Sequence, residues 1–213
     1  MCIRDSCERV NADAVNLSLA LGLDKKIAPR CLQPGAGMGG RFAAIEMESL
    51  AELARANGVS LKILSAAREV NNSLADRLVE KIAAVLNSVE NKDLGLLGLS
   101  FKPNTNSVAG SSSLQLAQGL VAKGARVHAF DPVAMPEAKI ELNGTVKYCE
   151  TAYAAAEGAD ALVVATGWPE FRTLDFDRIK RLLKKPVIVD TKNLLDGPRL
   201  RSLGFQYVGM GRG

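Results

Sequence analysis

Apolar positions recur at two different periods along this chain, and the change of period divides it. From about Ser6 to Asn87 they return at helical spacing. Val10, Ala14, Leu17 and Leu21 form one stripe that stops at Gly22. The run Gly35-Ala36-Gly37-Met38-Gly39-Gly40 follows, then a second helical pattern over 42–56, stopped by Asn57-Gly58. Ser60 reads as the N-cap of a third helix, over 60–88, through Leu64, Ala67, Val70, Leu74, Leu78, Ile82 and Val85. A helix of that length needs apolar partners along its whole face, from a subunit interface or from an intrachain bundle.

After Asn91-Lys92-Asp93 the period shortens. Strands are predicted at 94–99, 126–130, 161–165, 186–189 and 206–208, alternating with helices at 113–123, 152–157, 176–183 and 200–203. Such alternation means βαβ units, right-handed crossovers and a parallel sheet. The expected fold class is α/β, with a helical domain over 1–90 hinged to a Rossmann-like parallel-sheet domain over 91–213. Ligands of such sheets lie at the carboxyl ends of the strands. Residues 101–112, Asp131-Pro132, Thr166-Gly167-Trp168 and 190–193 therefore share one rim.

Composition narrows the function classes. The 213 residues are 47% hydrophobic and 23% charged, with a net charge of +4 too small and scattered for a nucleic-acid partner. The longest apolar runs are strand-length, so no membrane span is expected. Cys2, Cys7, Cys31 and Cys149 show no metal-binding spacing, and His128 is the sole histidine. No metal site is expected, and the thiols suit a reducing cytoplasm. The opening Met1 to Ser6 has no apolar core of the kind a secretory signal needs.

The rim carries the candidate chemistry. Lys102 stands just after a strand end, where an ammonium can meet a phosphate. Ser111-Ser112-Ser113 opens the next helix, whose free N–H groups favour anions. Lys192 can supply a second positive charge from a neighbouring loop. Gly95 and Gly98 lack the G-x-G-x-x-G spacing of a dinucleotide site, and packing explains them as well.

Several motifs, in this order, resemble the nucleotide-sugar dehydrogenases of the UDP-glucose/GDP-mannose family: Cys7-Glu8-Arg9-Val10, Pro34 to Gly40, Glu69-Val70-Asn71, Gly98 to Thr105, Phe130 to Ala134, Trp168 to Arg172, and Asp190 to Leu194. The resemblance runs over nearly the whole length after Ser6. It implies a helical central domain that dimerises and a C-terminal domain that grips UDP. The family reaction takes UDP-glucose to UDP-glucuronate with two NAD, through a cysteine thiohemiacetal and thioester. On that comparison the NAD-binding domain is absent from this chain, and Met1 to Ser6 reads as a foreign start on a truncated frame. Gly35, Gly37, Gly39, Gly40, Lys102, Asn104 and Lys192 become the substrate-binding candidates, and a homodimer through helix 60–88 is expected.

The departures matter as much. The family loop reads G-x-G-x-G-G-[SR]-C-[FL]-P-K-D. Here the cysteine position is Phe42, the lysine position Ile45 and the aspartate position Glu46. A phenyl ring cannot form a thiohemiacetal. Glu46 is left as the catalytic candidate, a general base without a nucleophile. Cys31 is read as a buried small hydrophobe. After Thr105 the family's D-D-x-R is replaced by Asn106-Ser107-Val108-Ala109, and Lys192 replaces an arginine, keeping charge without the bidentate fork. The sequence thus points to part of a UDP-sugar 6-dehydrogenase that is inactive by itself. The alternative is a non-catalytic UDP-binding or dimerising module.

Overall fold

A computed structural model describes residues 2–27 and 32–212. Cys31 lies outside the described residues. Five helices precede the sheet: α1 (Cys2–Val10), α2 (Ala14–Leu21), α3 (Arg41–Ala56), α4 (Lys62–Asn72) and α5 (Leu74–Leu86). The stripe read as one helix up to Gly22 is two. Asn11 takes a left-handed φ of 56°, and the Asp13 carboxylate caps α2 by accepting from the Val15 and Asn16 N–H groups. The helix expected over 60–88 is also two, because the pattern of apolar spacing does not register a local break. It parts at Ser73, whose Oγ donates to the Val70 carbonyl. Ser60 caps nothing: α4 starts at Lys62 with no side-chain cap.

The second half is six strands: β1 (Asp93–Leu97), β2 (Arg126–Phe130), β3 (Lys147–Tyr148), β4 (Ala161–Val164), β5 (Val187–Asp190) and β6 (Gln206–Gly209). All pair in parallel, in the order β3-β2-β1-β4-β5-β6. The crossovers carry α6 (Ser112–Ala122), α7 (Met135–Leu142), α8 (Ala152–Ala156), α9 (Phe176–Leu182) and α10 (Gly197–Ser202), with a 3-10 turn at Pro169–Thr173. The chain adds β2 and β3 to one side of β1 and β4 to β6 to the other, so the rim above β1 and β4 is the topological switch point. β1 stops at Leu97 because Gly98 turns to a φ of 98° and packs on Thr166, where a Cβ would lie 2.4 Å from the threonine Cβ.

Alternation along the strands feeds two cores. Leu94, Leu96, Val163 and Val189 face α5 and α6; Leu162, Val164 and Ile188 face α8, α9 and α10. Leu78, Val79 and Ile82 of α5 belong to the first of these cores, so packing is continuous across residue 90. The Gly119 hydrogen side admits α5 closely, since a Cβ there would sit 2.9 Å from Val79 Cγ2. α3 and α4 differ: α3 buries only Ala54, and α4 buries no residue.

Candidate functional site

The rim is wired from within. Ser111 caps α6, accepting from the Ser113 N–H, while its own hydroxyl donates to the Leu99 carbonyl. Ser113 Oγ donates to the Ala165 carbonyl and lies 3.1 Å from Thr166 Oγ1, which donates to the Ser100 carbonyl. Ser111 and Ser113 are buried. At the helix start whose N–H groups were expected to favour an anion, two of the three serine hydroxyls are therefore spent on the protein's own backbone, and only Ser112 retains partial exposure.

Asp131, at the carboxyl end of β2, is 2% exposed. Its Oδ2 accepts from the Leu99 N–H (2.7 Å), the Ser100 N–H (3.0 Å), Ser100 Oγ (3.2 Å) and Trp168 Nε1 (3.1 Å). Its Oδ1 accepts from the Val133 and Ala134 N–H groups. Burial pushes the carboxyl pKa up, but these backbone donors outweigh it and hold the group below its ordinary value. A dinucleotide-binding sheet places an acid at this point to hold ribose hydroxyls. Here both oxygens are occupied by protein donors, and the first βα turn lacks the glycine spacing that admits a pyrophosphate. The sheet does not fit NAD.

The glycine loop lies across this rim. At one end a Cβ on Gly35 would meet only the Thr191 carbonyl, at 3.7 Å, and Asn193 Nδ2 donates to the Pro34 carbonyl (3.4 Å). The Arg4 guanidinium donates to the Gly35 carbonyl at 2.9 Å. At the other end Gly39 packs on Gly110, and Gly40, with φ of 101°, packs on the Phe101 ring, 3.0 Å from where its Cβ would be. The Gly40 N–H donates to the Gly110 carbonyl. Gly37 faces Leu74 and Asn71, and Asn71 brackets Met38, accepting its N–H and donating to its carbonyl. The loop thus runs from the turn after β5 to the turn after β1.

The structure brings four sequence candidates, Gly35, Gly39, Gly40 and Lys192, onto that line. Lys192 is half-buried beside Asp190; burial lowers its pKa and the Asp190 carboxylate partly offsets this. Asp190 accepts from the Lys192 and Leu195 N–H groups and from Tyr207 Oη, and burial raises its pKa against those bonds. Lys102 is exposed, its ammonium 5.3 Å from the centroid of the Phe101 ring, and Asn104 is exposed at a left-handed φ of 60°. Glu46 is exposed on α3, and Phe42, at the start of that helix, is 81% exposed. Among the described residues no group of three His, Cys, Asp or Glu side chains could hold a metal ion, and no helix is long and apolar enough to cross a membrane.

Sequence reading named Asn71 and Asn193 only as parts of motifs and gave neither its role here. Asn193 holds Met210 through both its backbone groups, while Gly211 is held by the Ala14 N–H and the Glu8 carboxylate. The final strand is thereby tied to both α1–α2 and the glycine loop. Only a left-handed asparagine next to a strand end hinted at it.

A family model described as the UDP-glucose/GDP-mannose dehydrogenase family, central domain, matches residues 2–73. A second, the UDP binding domain of that family, matches residues 95–197. UDP-glucose 6-dehydrogenase TuaD of Bacillus subtilis is 37% identical over 210 residues, which is 99% of this chain and 46% of that protein. UDP-glucose 6-dehydrogenase of Rickettsia bellii is 34% identical over 96% of this chain and 48% of its own length. The solved structure of a UDP-glucose dehydrogenase from Pyrobaculum islandicum superposes with a TM-score of 0.84 at 28% identity, covering 96% of this chain and 45% of that one. The chain spans about half the length of the curated relatives it matches.

Proposed function

Because this chain belongs to the UDP-glucose/GDP-mannose dehydrogenase family, we propose that it is the sugar-nucleotide-holding part of a UDP-sugar 6-dehydrogenase, and that alone it binds a UDP-sugar without oxidising it. The observation that carries this reading is the course of the glycine loop, which crosses the rim from the turn holding Lys192 to the turn holding Lys102. A diphosphate lying under the loop has an ammonium toward either end, and the sugar lies along loop backbone and the start of α3. Gly35, Gly37, Gly39, Gly40, Lys102, Asn104 and Lys192 form this binding set.

The chemistry is the part this chain lacks. Phe42 offers no lone pair at the position where the family pattern carries its thiol, so no hemiacetal forms and no acyl intermediate follows. Glu46 can accept a proton, but with no nucleophile beside it that base has nothing to activate. NAD serves the family reaction, and the sheet of this chain does not fit it, because the Asp131 oxygens already hold protein donors. The assembled form is a homodimer in the cytoplasm through the exposed faces of α3 and α4, since the α5 half of the helix expected over 60–88 is spent on the sheet's own core.

Calorimetric titration of the chain with UDP and with UDP-glucose tests the binding, and absorbance of NADH after adding NAD tests the chemistry. Heat of binding with both ligands and no NADH are expected. Lys102→Ala weakens binding by about 1–3 kcal/mol, as for a lost charged contact. No heat up to roughly millimolar ligand, a free energy of only about −4 kcal/mol, removes the binding reading. Sustained NADH formation removes the non-catalytic one.

A further inference from the structure

We propose that Asp131 is a positioning residue for Lys102: its buried carboxylate fixes the turn after β1 and so sets where the lysine meets the diphosphate. The inference rests on the binding reading above and adds the group that shapes the site.

Three rim turns converge on this one side chain. Leu99 and Ser100 come from the turn after β1, Val133 and Ala134 from the turn after β2, and Trp168 from the turn after β4. Ser100 doubles the connection, since its Oγ donates to Asp131 and accepts from Trp168 Nε1 (3.2 Å). Its carbonyl accepts from Thr166 Oγ1 at 2.6 Å. The chain is therefore pinned at Ser100, two residues before Lys102. It is pinned again at Phe101, whose N–H donates to the Ser107 carbonyl and whose ring seats Gly40. Lys102 itself makes no hydrogen bond or ion pair among the described residues, so its backbone anchors and the Phe101 ring beside its ammonium decide its place. No ligand reaches Asp131, because both of its oxygens already hold protein donors.

A carboxylate is required at this point. Asparagine has the same shape but one acceptor oxygen, and its NH2 would face either the Leu99 and Ser100 N–H groups or those of Val133 and Ala134. Donor against donor in a buried site forces one of the turns to move. Ser100→Ala is the milder change, removing a hydroxyl from the cluster while leaving the carboxylate and its backbone donors.

The test is UDP titration of Asp131→Asn and Ser100→Ala, each alone and combined with Lys102→Ala. Expected is a loss of about tenfold in affinity for each single variant, the size of one hydrogen bond to a charged group. In the Lys102→Ala background the same substitutions add no further loss, because the group they position is gone. A full tenfold in both backgrounds, or no loss in either while Lys102→Ala weakens binding, overturns the proposal. If Asp131→Asn does not fold, Ser100→Ala and Trp168→Phe carry the test. Amide hydrogen exchange gives a readout without ligand: Asp131→Asn should speed exchange over 99–107 and leave β4 and β5 unchanged. Unchanged exchange over 99–107 also overturns the proposal. Wild-type chain that binds no UDP, with exchange over 99–107 accelerated in the variant, fails the binding reading and leaves the anchoring intact.

Discussion

A methyl group on Gly39 would lie 2.7 Å from the Gly110 carbonyl oxygen, whereas one on Gly35 would meet nothing nearer than 3.7 Å. The two glycines look alike in sequence, and packing separates them. Gly39→Ala must push the loop off the turn after β1, a misfit that costs about 1–3 kcal/mol in a packed site. Gly35→Ala should leave the unfolding free energy within about 0.5 kcal/mol of wild type, as for a change that makes only an ordinary van der Waals contact. Equal losses for the two variants, measured by urea unfolding, would mean that the loop does not dock as described. A dense glycine run told that a backbone is approached closely, but not by what. Three of the four are approached tightly, Gly37 by Leu74 and Asn71, Gly39 by Gly110 and Gly40 by Phe101. Those partners lie far along the chain, so no local spacing could name them. Phe42 was legible as the loss of a nucleophile, while its exposure came only with the fold.

At the level of elements, the shift from helical spacing to short apolar runs near residue 90 was readable because the central strands β1, β4 and β5 are buried on both faces. α7 and β3 were not, since α7 is eight residues long with only Ala138 and Leu142 buried and β3 is two residues long. The opposite edge of the sheet was equally hidden, because ion pairs across strands leave no periodic trace. There Asp93, at the start of β1, accepts from Arg126 Nε and Nη2 at the start of β2, and from Lys184 Nζ before β5. Lys184 also reaches Asp160 before β4, at 3.2 Å. Hydrogen bonds from Arg126 first, then Lys184, hold the Asp93 carboxyl well below the usual carboxylate range against the opposing effect of burial. A carboxyl depressed on folding stabilises above its unfolded pKa, near 4, and that stabilisation is lost as pH falls below it. Both partners are about half exposed, so solvent and salt screen much of the effect. Asp190 works in the other sense, its raised pKa favouring the fold as pH falls. His128, whose pKa is lowered mainly by burial, titrates at higher pH. Melting temperature against pH should therefore fall less steeply below about pH 4 in Asp93→Asn than in wild type. Parallel acid limbs would show that the Asp93 cluster adds nothing to stability.

For the whole molecule, the distribution of buried surface is lopsided. The sheet and α5 to α10 enclose two apolar cores, while α3 and α4 leave their apolar positions in solvent. Ile63 is 87% exposed, Leu53 62% and Leu50 51%, and an open cleft lined by Leu50, Leu61, Ile63 and Leu64 runs between the two helices. Monomeric proteins seldom expose a contiguous apolar surface of this kind, and helices hold together chiefly through packing of such a face. In the dimer proposed above, a second copy of the chain offering the same two helices about a twofold axis would cover the surface with one self-complementary interface. Light scattering on the purified chain should then give twice the chain's mass. Ile63→Glu with Leu53→Glu should give the chain's mass alone, because two carboxylates buried without partners cost several kcal/mol in each protomer. UDP affinity separates this from general unfolding: both residues are largely exposed and neither belongs to the rim turns or the glycine loop, so the monomeric variant should bind as wild type does. A wild-type chain that stays monomeric at high concentration would leave helices α3 and α4 without the partner that their exposed faces call for.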